Sequence, residues 1–187
     1  MQINRISLGQ FKNISGRFAI SDPCYDTNVW CRGELTQVRK GKWNAEVGIY
    51  DAGNWGRRVA LLIATHEDYD EDAEGNYQLE TAPFEVGVDS GQAGIFDAIH
   101  YKDDSIFWNR GNPVHDYGDN GEKWYGFCCD ATLNTEHQAD VIPFGVVSSS
   151  GFGDGGYDCI YFTDTNGEII KTVITFIDED YESENND

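Results

Sequence analysis

The most regular segment of the chain reads Lys42-Trp43-Asn44-Ala45-Glu46-Val47-Gly48-Ile49-Tyr50, with an apolar side chain at nearly every second position. This alternation is typical of a β-strand with one buried face, because successive strand side chains point to opposite sides of a sheet. Residues 34–39 precede the segment across a Lys40-Gly41 turn. The two segments together predict a β-hairpin.

A second hairpin is predicted near the end of the chain. There the apolar residues 157–162 are joined to residues 168–177 by a connection that contains Asn166-Gly167, a favoured turn sequence. Apolar and polar side chains alternate only weakly in both segments. We therefore expect strands that are covered on both faces.

Four further segments are rich in apolar, β-branched or aromatic residues and predict strands. They are residues 17–21, 57–65, 84–89 and 141–148. Helical periodicity is confined to residues 123–133, and residues 124–129 within it also fit a short buried strand. The sequence thus predicts a mainly β fold, a sandwich or a bent barrel-like antiparallel sheet with one or two short helices; an α+β fold is the alternative.

The chain has 187 residues and carries 13 lysines and arginines against 33 aspartates and glutamates, for a formal net charge of −20. This length is typical of one domain. We predict a single β-rich domain over residues 1–177 and an acidic flexible tail over residues 178–187. The charge argues against direct binding to nucleic acid by the whole surface, because phosphate recognition requires a cationic face.

Twelve of the acidic residues form two blocks, which we interpret as solvated and mobile because like charges repel each other. The blocks comprise Glu67, Asp68, Asp70, Glu71, Asp72 and Glu74, and Asp178, Glu179, Asp180, Glu182, Glu184 and Asp187. Without them the charge would be about −8, an ordinary value for a soluble domain. The functional alternatives are a cation-binding loop and a surface that imitates nucleic acid. Residues 1–66 are mildly basic and could face an anionic ligand.

The cysteines indicate the compartment. An odd number of five, in a chain long enough to fold without disulfides, favours a reducing environment. No apolar segment reaches the length of a signal peptide or a membrane span. We therefore expect a cytoplasmic protein, in the host cytoplasm if a phage encodes it, with no membrane partner. Without a Cys-x-x-Cys pair no zinc site is predicted, and the sequence indicates neither a cofactor nor an oligomeric state.

Three segments combine small, polar and turn-forming residues beside predicted strands: residues 21–25, 88–97 and 148–157. Loops at strand ends of a rigid scaffold are common binding sites. We therefore predict one ligand-binding site where the three segments converge. The candidate residues are Asp22, Cys24, Asp89, Gln92, Ser149, Ser150, Gly151, Gly153 and Asp154.

Together with Tyr50-Asp51-Ala52-Gly53-Asn54-Trp55-Gly56-Arg57-Arg58-Val59-Ala60, these segments resemble, in the same order, a family of bacterial and phage proteins. That family is classified as domain of unknown function forty-two forty-one. The resemblance covers residues 18–176, and it implies an intracellular bacterial or viral origin. Since the family has no established activity, the resemblance assigns no catalytic residue.

Each candidate also has a structural interpretation. Asp22 precedes a proline, so its carboxylate either faces a cleft or forms an Asx-type turn. Cys24 is either a nucleophile or an inert buried thiol. The oxygens of Asp89, Gln92 and Asp97 either surround Ca²⁺ or Mg²⁺ or form a hydrogen-bonded turn.

The glycine-rich segment Gly151-Phe152-Gly153-Asp154-Gly155-Gly156 matches the Gly-x-Gly-x-x-Gly pattern of dinucleotide sites. A strand is predicted after it, however, where such a site needs a helix. The segment is thus either a loop that cradles an anion with its N–H groups or a tight turn covered by aromatic side chains.

Three functions from different classes stay open. The leading hypothesis is a cytoplasmic non-enzymatic binding protein of bacterial or phage origin, which holds a small polar ligand or a host protein at the convergent loops. The second is a hydrolase that uses a divalent cation at Asp22, Asp89 or Asp154, or Cys24 as nucleophile. The third is an acidic phage inhibitor of a host nucleic-acid or defence enzyme, in which the two acidic blocks would make the contacts.

Overall fold

The computed structural model describes residues 1–115 and 122–178 and builds them mainly from β-strands. The elements are β1 (Ile3–Asn13), β2 (Arg17–Ser21), β3 (Gly33–Thr36), β4 (Gly41–Asp51), β5 (Arg57–His66), β6 (Gln78–Thr81), β7 (Val86–Val88), β8 (Gln92–Asp97), α1 (Glu122–Leu133), β9 (Ala139–Ile142), β10 (Gly145–Ser149), β11 (Gly155–Thr163) and β12 (Ile169–Thr175). Short 3-10 helices cover Gly53–Trp55, Glu71–Asn76, Ala98–His100 and Asp104–Phe107. In this part of the chain no helix is both long and apolar enough to cross a membrane.

The strands form two antiparallel sheets, which confirms the predicted mainly β fold. The larger sheet has the order β1-β4-β5-β12-β11-β6, and β7 pairs with the first residues of β11. The smaller sheet has the order β3-β2-β8-β10-β9. The two sheets pack face to face without closing into a barrel, as in a sandwich.

The core between the sheets explains the alternation in β4. Trp43, Ala45 and Val47 are fully buried and lie in this core. The Trp43 ring meets Phe18 of the smaller sheet edge to face at 4.8 Å, and its indole N–H donates to the Arg39 carbonyl at 3.0 Å. The apolar face of the most regular segment thus joins the two sheets.

A second core covers the outer face of the smaller sheet. Helix α1 packs there, and Trp124 contacts Phe96 at 4.9 Å and Tyr101 at 5.0 Å between ring centroids. The helix predicted for residues 123–133 is therefore confirmed, within one residue of α1. Because both faces of the smaller sheet are covered, all six residues of β8 are buried.

The hairpin predicted for residues 34–39 and 42–50 is wrong, since β3 pairs with β2 and β4 pairs with β1 and β5. Between them the chain passes from one sheet to the other. Ile169 holds this crossing: its N–H donates to the Gln37 carbonyl at 2.8 Å, and its carbonyl accepts from Arg39 N at 2.9 Å. Gln37 turns the chain with a φ of 59°.

Most of the other predicted strands are present in the structure. The hairpin of β11 and β12 is confirmed, with Gly167 in the turn at a φ of 78°. The expected cover on both faces holds for β12 and is wrong for β11, most of whose residues are exposed or half-buried. Strands predicted over residues 17–21, 57–65 and 84–89 correspond to β2, β5 and β7. Residues 141–148 do not form one strand: they comprise the second half of β9 and most of β10, because Phe144 turns the chain between them with a φ of 64°.

Two corrections concern strands β8 and β1. Residues 92–97 belong to the central strand β8, although the sequence predicts a loop over residues 88–97. Strand β1, which has no counterpart in the prediction, pairs with β4 along its whole length. In the first acidic block Glu67, Asp68 and Asp70 are exposed; residues 179–187 of the second lie outside the described residues.

Candidate functional site

The first and second polar segments meet at Asp22, whose side chain is fully buried. Its Oδ2 accepts hydrogen bonds from the backbone N–H groups of Asp89 at 2.9 Å and Ser90 at 2.7 Å. Its Oδ1 accepts from Cys24 N at 2.8 Å and from the Ser90 hydroxyl at 2.6 Å. One carboxylate therefore fixes the end of β2 to the turn between β7 and β8.

The second and third segments meet at Gly91. Its N–H donates to Asp154 Oδ1 at 3.1 Å, and its carbonyl accepts from Ser150 N at 3.0 Å. The third segment is itself a tight turn, in which Gly153 N donates to the Ser150 carbonyl at 2.8 Å and the Tyr157 hydroxyl donates to the Gly153 carbonyl at 2.6 Å. The structure thus brings together the three segments that the sequence singles out.

Asp22 positions the loops and does not face an open site. Its four accepted hydrogen bonds occupy both oxygens, and one of them, from Cys24 N, is the Asx-type turn that the sequence offered as an alternative. The same turn is held from the core side by Tyr101, whose hydroxyl donates to the Asp22 carbonyl at 2.9 Å and to the Tyr25 carbonyl at 2.8 Å. Direct contact between Asp22 and a ligand is therefore not supported.

Cys24 has the chemistry of an inert thiol. Burial, reinforced by the Asp22 carboxylate, raises the pKa of Cys24 to about 12. The nucleophilic form of cysteine is the thiolate. Near neutral pH this side chain therefore stays protonated, which argues against its role as a nucleophile.

Two other candidates point away from the loops. Gln92 is buried against α1, where its Oε1 accepts from the Thr132 hydroxyl at 3.0 Å. The Ser149 hydroxyl donates to Gln138 Oε1 at 2.9 Å. Both side chains fasten the smaller sheet to its neighbours rather than lining an open surface.

The cation site considered for Asp89, Gln92 and Asp97 is not formed. Asp97 lies at the far end of β8, fully buried, and its Oδ2 accepts from the backbone N–H groups of Ile14 at 2.6 Å and Ser15 at 3.1 Å. It therefore fixes the turn between β1 and β2. Within residues 1–115 and 122–178 no group of three histidines, cysteines, aspartates or glutamates could hold a metal ion.

An open groove of about 530 Å³ lies beside the three loops. We call these loops braced because hydrogen bonds of Asp22 and Gly91 join them to one another. The exposed side chains of Asp89 and Asp154 line it, and so does Glu85, whose carboxylate lies over the backbone of Gly156. Trp30 lines the groove with 89% of its surface exposed. Two of the nine candidate residues, Asp89 and Asp154, thus line an open groove. Trp30 and Glu85 line it as well and are not among the residues predicted from the sequence.

The loop that carries Trp30 rests directly on β7. A methyl group added at Gly87 would lie only 2.9 Å from Cys31 Cβ and 3.6 Å from the Tyr25 hydroxyl, so the glycine allows this close approach. Burial, followed by the neighbouring Asp89 carboxylate, raises the pKa of Tyr25. Tyr25 therefore stays neutral and keeps its hydroxyl proton within the groove wall.

A hollow of similar volume lies at another part of the molecule, and two of its three carboxylates, those of Glu34 and Asp164 but not of Glu80, form ion pairs with described arginines. It is lined by Glu34, Tyr161 and Asp164 among others. Arg39 forms an ion pair with Asp164, and Arg17 pairs with Glu34 at 3.0 Å. The groove beside the three loops differs because no described lysine or arginine forms an ion pair with its carboxylates.

Comparisons of the chain with family models, with curated proteins and with solved structures give no match. The resemblance to family forty-two forty-one, carried by four sequence motifs, stays a prediction. The fold and the site therefore assign this chain to a broad class: a mainly β protein of two sheets, with braced loops beside an open groove.

Proposed function

We propose that this chain is a non-enzymatic binding protein that holds a polar ligand or a protein partner in the groove beside the three loops. The observation that carries the proposal is the bracing of loops that are distant in sequence. Asp22 is bonded to Asp89 and Ser90, and Gly91 to Asp154 and Ser150. A cytoplasmic location and a bacterial or phage origin belong to the same proposal and rest on the sequence.

The bracing is useful for binding because it fixes the walls of the groove before a ligand arrives. Ordering flexible loops on association costs free energy, so a preorganised site binds more tightly with the same contacts. Asp89 and Asp154 themselves form hydrogen bonds that join two segments: Asp89 N donates to Asp22 Oδ2, and Asp154 Oδ1 accepts from Gly91 N. Their carboxylates are therefore presented from fixed backbone.

The hydrolase alternative receives less support from the described residues. The thiol of Cys24 is protonated near neutral pH, and the oxygens of Asp22 are occupied by four donors. A nucleophile needs a free electron pair and a base that can accept its proton. Cys24 therefore offers no ready nucleophile, and Asp22 has no unoccupied oxygen for a divalent cation. Asp89 and Asp154, the other two residues of this alternative, are exposed, but among the described residues no group of three histidines, cysteines, aspartates or glutamates could hold a metal ion.

The test is a titration followed by amide NMR spectra of the ¹⁵N-labelled full chain, with four probes: inorganic phosphate, glucose, agmatine and a blocked arginine-containing peptide. At least one probe should shift the amide signals of Gly87, Asp89, Gly91 and Gly156. The same probe should act more weakly on the variant Trp30→Ala and unchanged on Trp55→Ala, since Trp55 is exposed but does not line the groove. Absence of groove shifts with all four probes at millimolar concentration would overturn the proposal.

A further inference from the structure

We infer that the groove takes the cationic head of an arginine or lysine side chain from a basic segment of a protein partner. The inference rests on the proposed function and names its ligand. Two independent features of the groove carry it: carboxylates that form no ion pair with a described lysine or arginine, and exposed or half-buried aromatic side chains in the same lining.

The carboxylates come from three separate connections. Glu85 and Asp89 flank β7, and Asp154 precedes β11, which pairs with β7 through Gly155 and Val88. All three side chains are exposed and line the same groove. A cationic group in this groove would form charge-assisted hydrogen bonds with the carboxylates within its reach, and such bonds are stronger than those between neutral groups.

Two cations on or against the loop that carries Trp30, Arg32 and Lys102, already have partners. Arg32 lies 3.5 Å from Glu34 and stacks on the Tyr101 ring at 4.8 Å. Lys102 lies 3.6 Å from Asp26 and donates to the Cys24 carbonyl at 3.2 Å. Among the described residues that line the groove there is no lysine, arginine or histidine. The chain therefore supplies negative charge to this groove and leaves the positive charge to a ligand.

The aromatic wall favours a guanidinium or ammonium group over a metal ion. Trp30 and Tyr25 both line the groove, and the face of an aromatic ring attracts organic cations. Because carboxylates and aromatic rings line the same groove, a planar guanidinium bound there could stack on a ring while its N–H groups donate to a carboxylate oxygen.

Two observations favour a protein-borne cation over a free amine. A volume of about 530 Å³ is larger than one cationic head needs and leaves space for the neighbouring residues of a peptide. Trp30, with 89% of its surface exposed, is a residue type that is enriched at protein interfaces and often dominates their binding energy. The net charge of −20 would in addition accelerate the approach of a basic partner at low salt.

The experiment measures the affinity of the full chain for three probes by NMR titration. They are a blocked peptide with two arginines between glycines, its counterpart with citrulline in place of both arginines, and free agmatine. The arginine peptide should bind roughly tenfold more tightly than the citrulline peptide, and more weakly as salt rises. It should also bind more tightly than agmatine.

Variants locate the binding. Trp30→Ala should weaken binding of the arginine peptide by about 2- to 5-fold, and Asp89→Asn and Asp154→Asn each by about 2- to 5-fold. The matched controls are Trp55→Ala, which removes an exposed indole elsewhere, and Glu67→Gln, which removes one exposed negative charge elsewhere. Both controls should bind like the unmodified chain.

The outcomes separate the two proposals. Equal binding of the arginine and citrulline peptides in the groove would overturn the cation and leave the proposed function standing. Agmatine that binds as tightly as the peptide would overturn the protein-borne source. Peptide binding that Trp30→Ala and Asp154→Asn leave unchanged would place it outside the groove and overturn the inference. Failure of these probes, and of phosphate and glucose as well, to reach the groove would overturn the proposed function too.

Discussion

Replacing Asp22 by alanine should destabilise the protein strongly, although this aspartate lies in a loop. The substitution removes the acceptor of four hydrogen bonds, three from backbone N–H groups and one from the Ser90 hydroxyl. It also leaves a space in a fully buried position. Asp22→Ala therefore combines lost hydrogen bonds with the penalty of unpaired polar groups.

The loss in free energy of unfolding depends on how well water can replace Asp22 as the hydrogen-bond acceptor. Leaving one buried donor unpaired costs about 1–3 kcal/mol. The hydrogen bonds from Asp89 N and Ser90 N are only partly buried, so hydration should recover part of this cost. We expect the free energy of unfolding to fall by about 3–4 kcal/mol. For a chain of this length the melting temperature should fall by about 10 °C.

The assay is urea unfolding followed by circular dichroism, with Asp89→Ala as the matched control. Asp89 lies on the same braced turn, and its backbone N–H donates to Asp22 whatever its side chain is. The control side chain is exposed, so its removal should change the free energy of unfolding by less than about 0.5 kcal/mol. A loss below about 1 kcal/mol for Asp22→Ala, or an equal loss for the control, would refute the reasoning.

Two further predictions concern titratable groups. Alkylation of Cys24 by iodoacetamide, followed by mass spectrometry, should be slow at pH 8 and still accelerate above pH 10, since its pKa is raised to about 12; a rate plateau below pH 9 would contradict this. Burial raises the pKa of Asp130, but hydrogen bonds from His115 and from two backbone N–H groups outweigh it and lower the pKa overall. The resulting stability is present above the unfolded pKa of about 4 and is lost as the pH falls through the lower folded value. Urea unfolding at pH 7 and pH 3 should therefore show a smaller penalty for Asp130→Asn at pH 3, and an equal penalty would contradict the pairing.

The strand predictions succeeded where the deciding contacts are local. The turn at Asn166-Gly167 joins two strands that pair directly, so the sequence around it contains the whole signal. The segment around Lys40-Gly41 carries a similar turn signal, yet Gln37 and Arg39 form their backbone hydrogen bonds with Ile169. A partner about 130 residues away cannot be inferred from the spacing of neighbouring residues.

Contacts distant in sequence also explain why β8 was predicted to be part of a loop. Its glycine, Gly94, leaves space for the Phe96 ring, and its last residue, Asp97, accepts hydrogen bonds from the turn at Ile14 and Ser15. Small and acidic residues in a strand usually indicate a loop. Here they serve contacts that only the tertiary structure creates.

The three loops of the site could be predicted from the sequence, but two of the residues that line the groove could not. Turn-forming residues beside strands identified the three loops, and Asp22 showed the residue pattern of an Asx-type turn. Trp30 and Glu85 carry no local signal, because only the pairing of β7 with β11 and the approach of Cys31 to Gly87 bring them to one groove. The side chains that reach the groove are thus decided by contacts distant in sequence.

The bracing and the lining of the groove use different groups of the same residues, so variants can separate the effect on stability from the effect on binding. Asp89 donates its N–H to Asp22 while its own carboxylate lines the groove. If the bracing presents the carboxylates, Asp22→Ala should lose both stability and affinity for the arginine peptide, whereas Asp89→Asn should lose affinity alone. Ser90→Ala, which removes one hydrogen bond to Asp22 and no groove carboxylate, should lose about 1 kcal/mol of stability. Full affinity in Asp22→Ala, measured where the variant is still folded, would show that the groove forms without its brace.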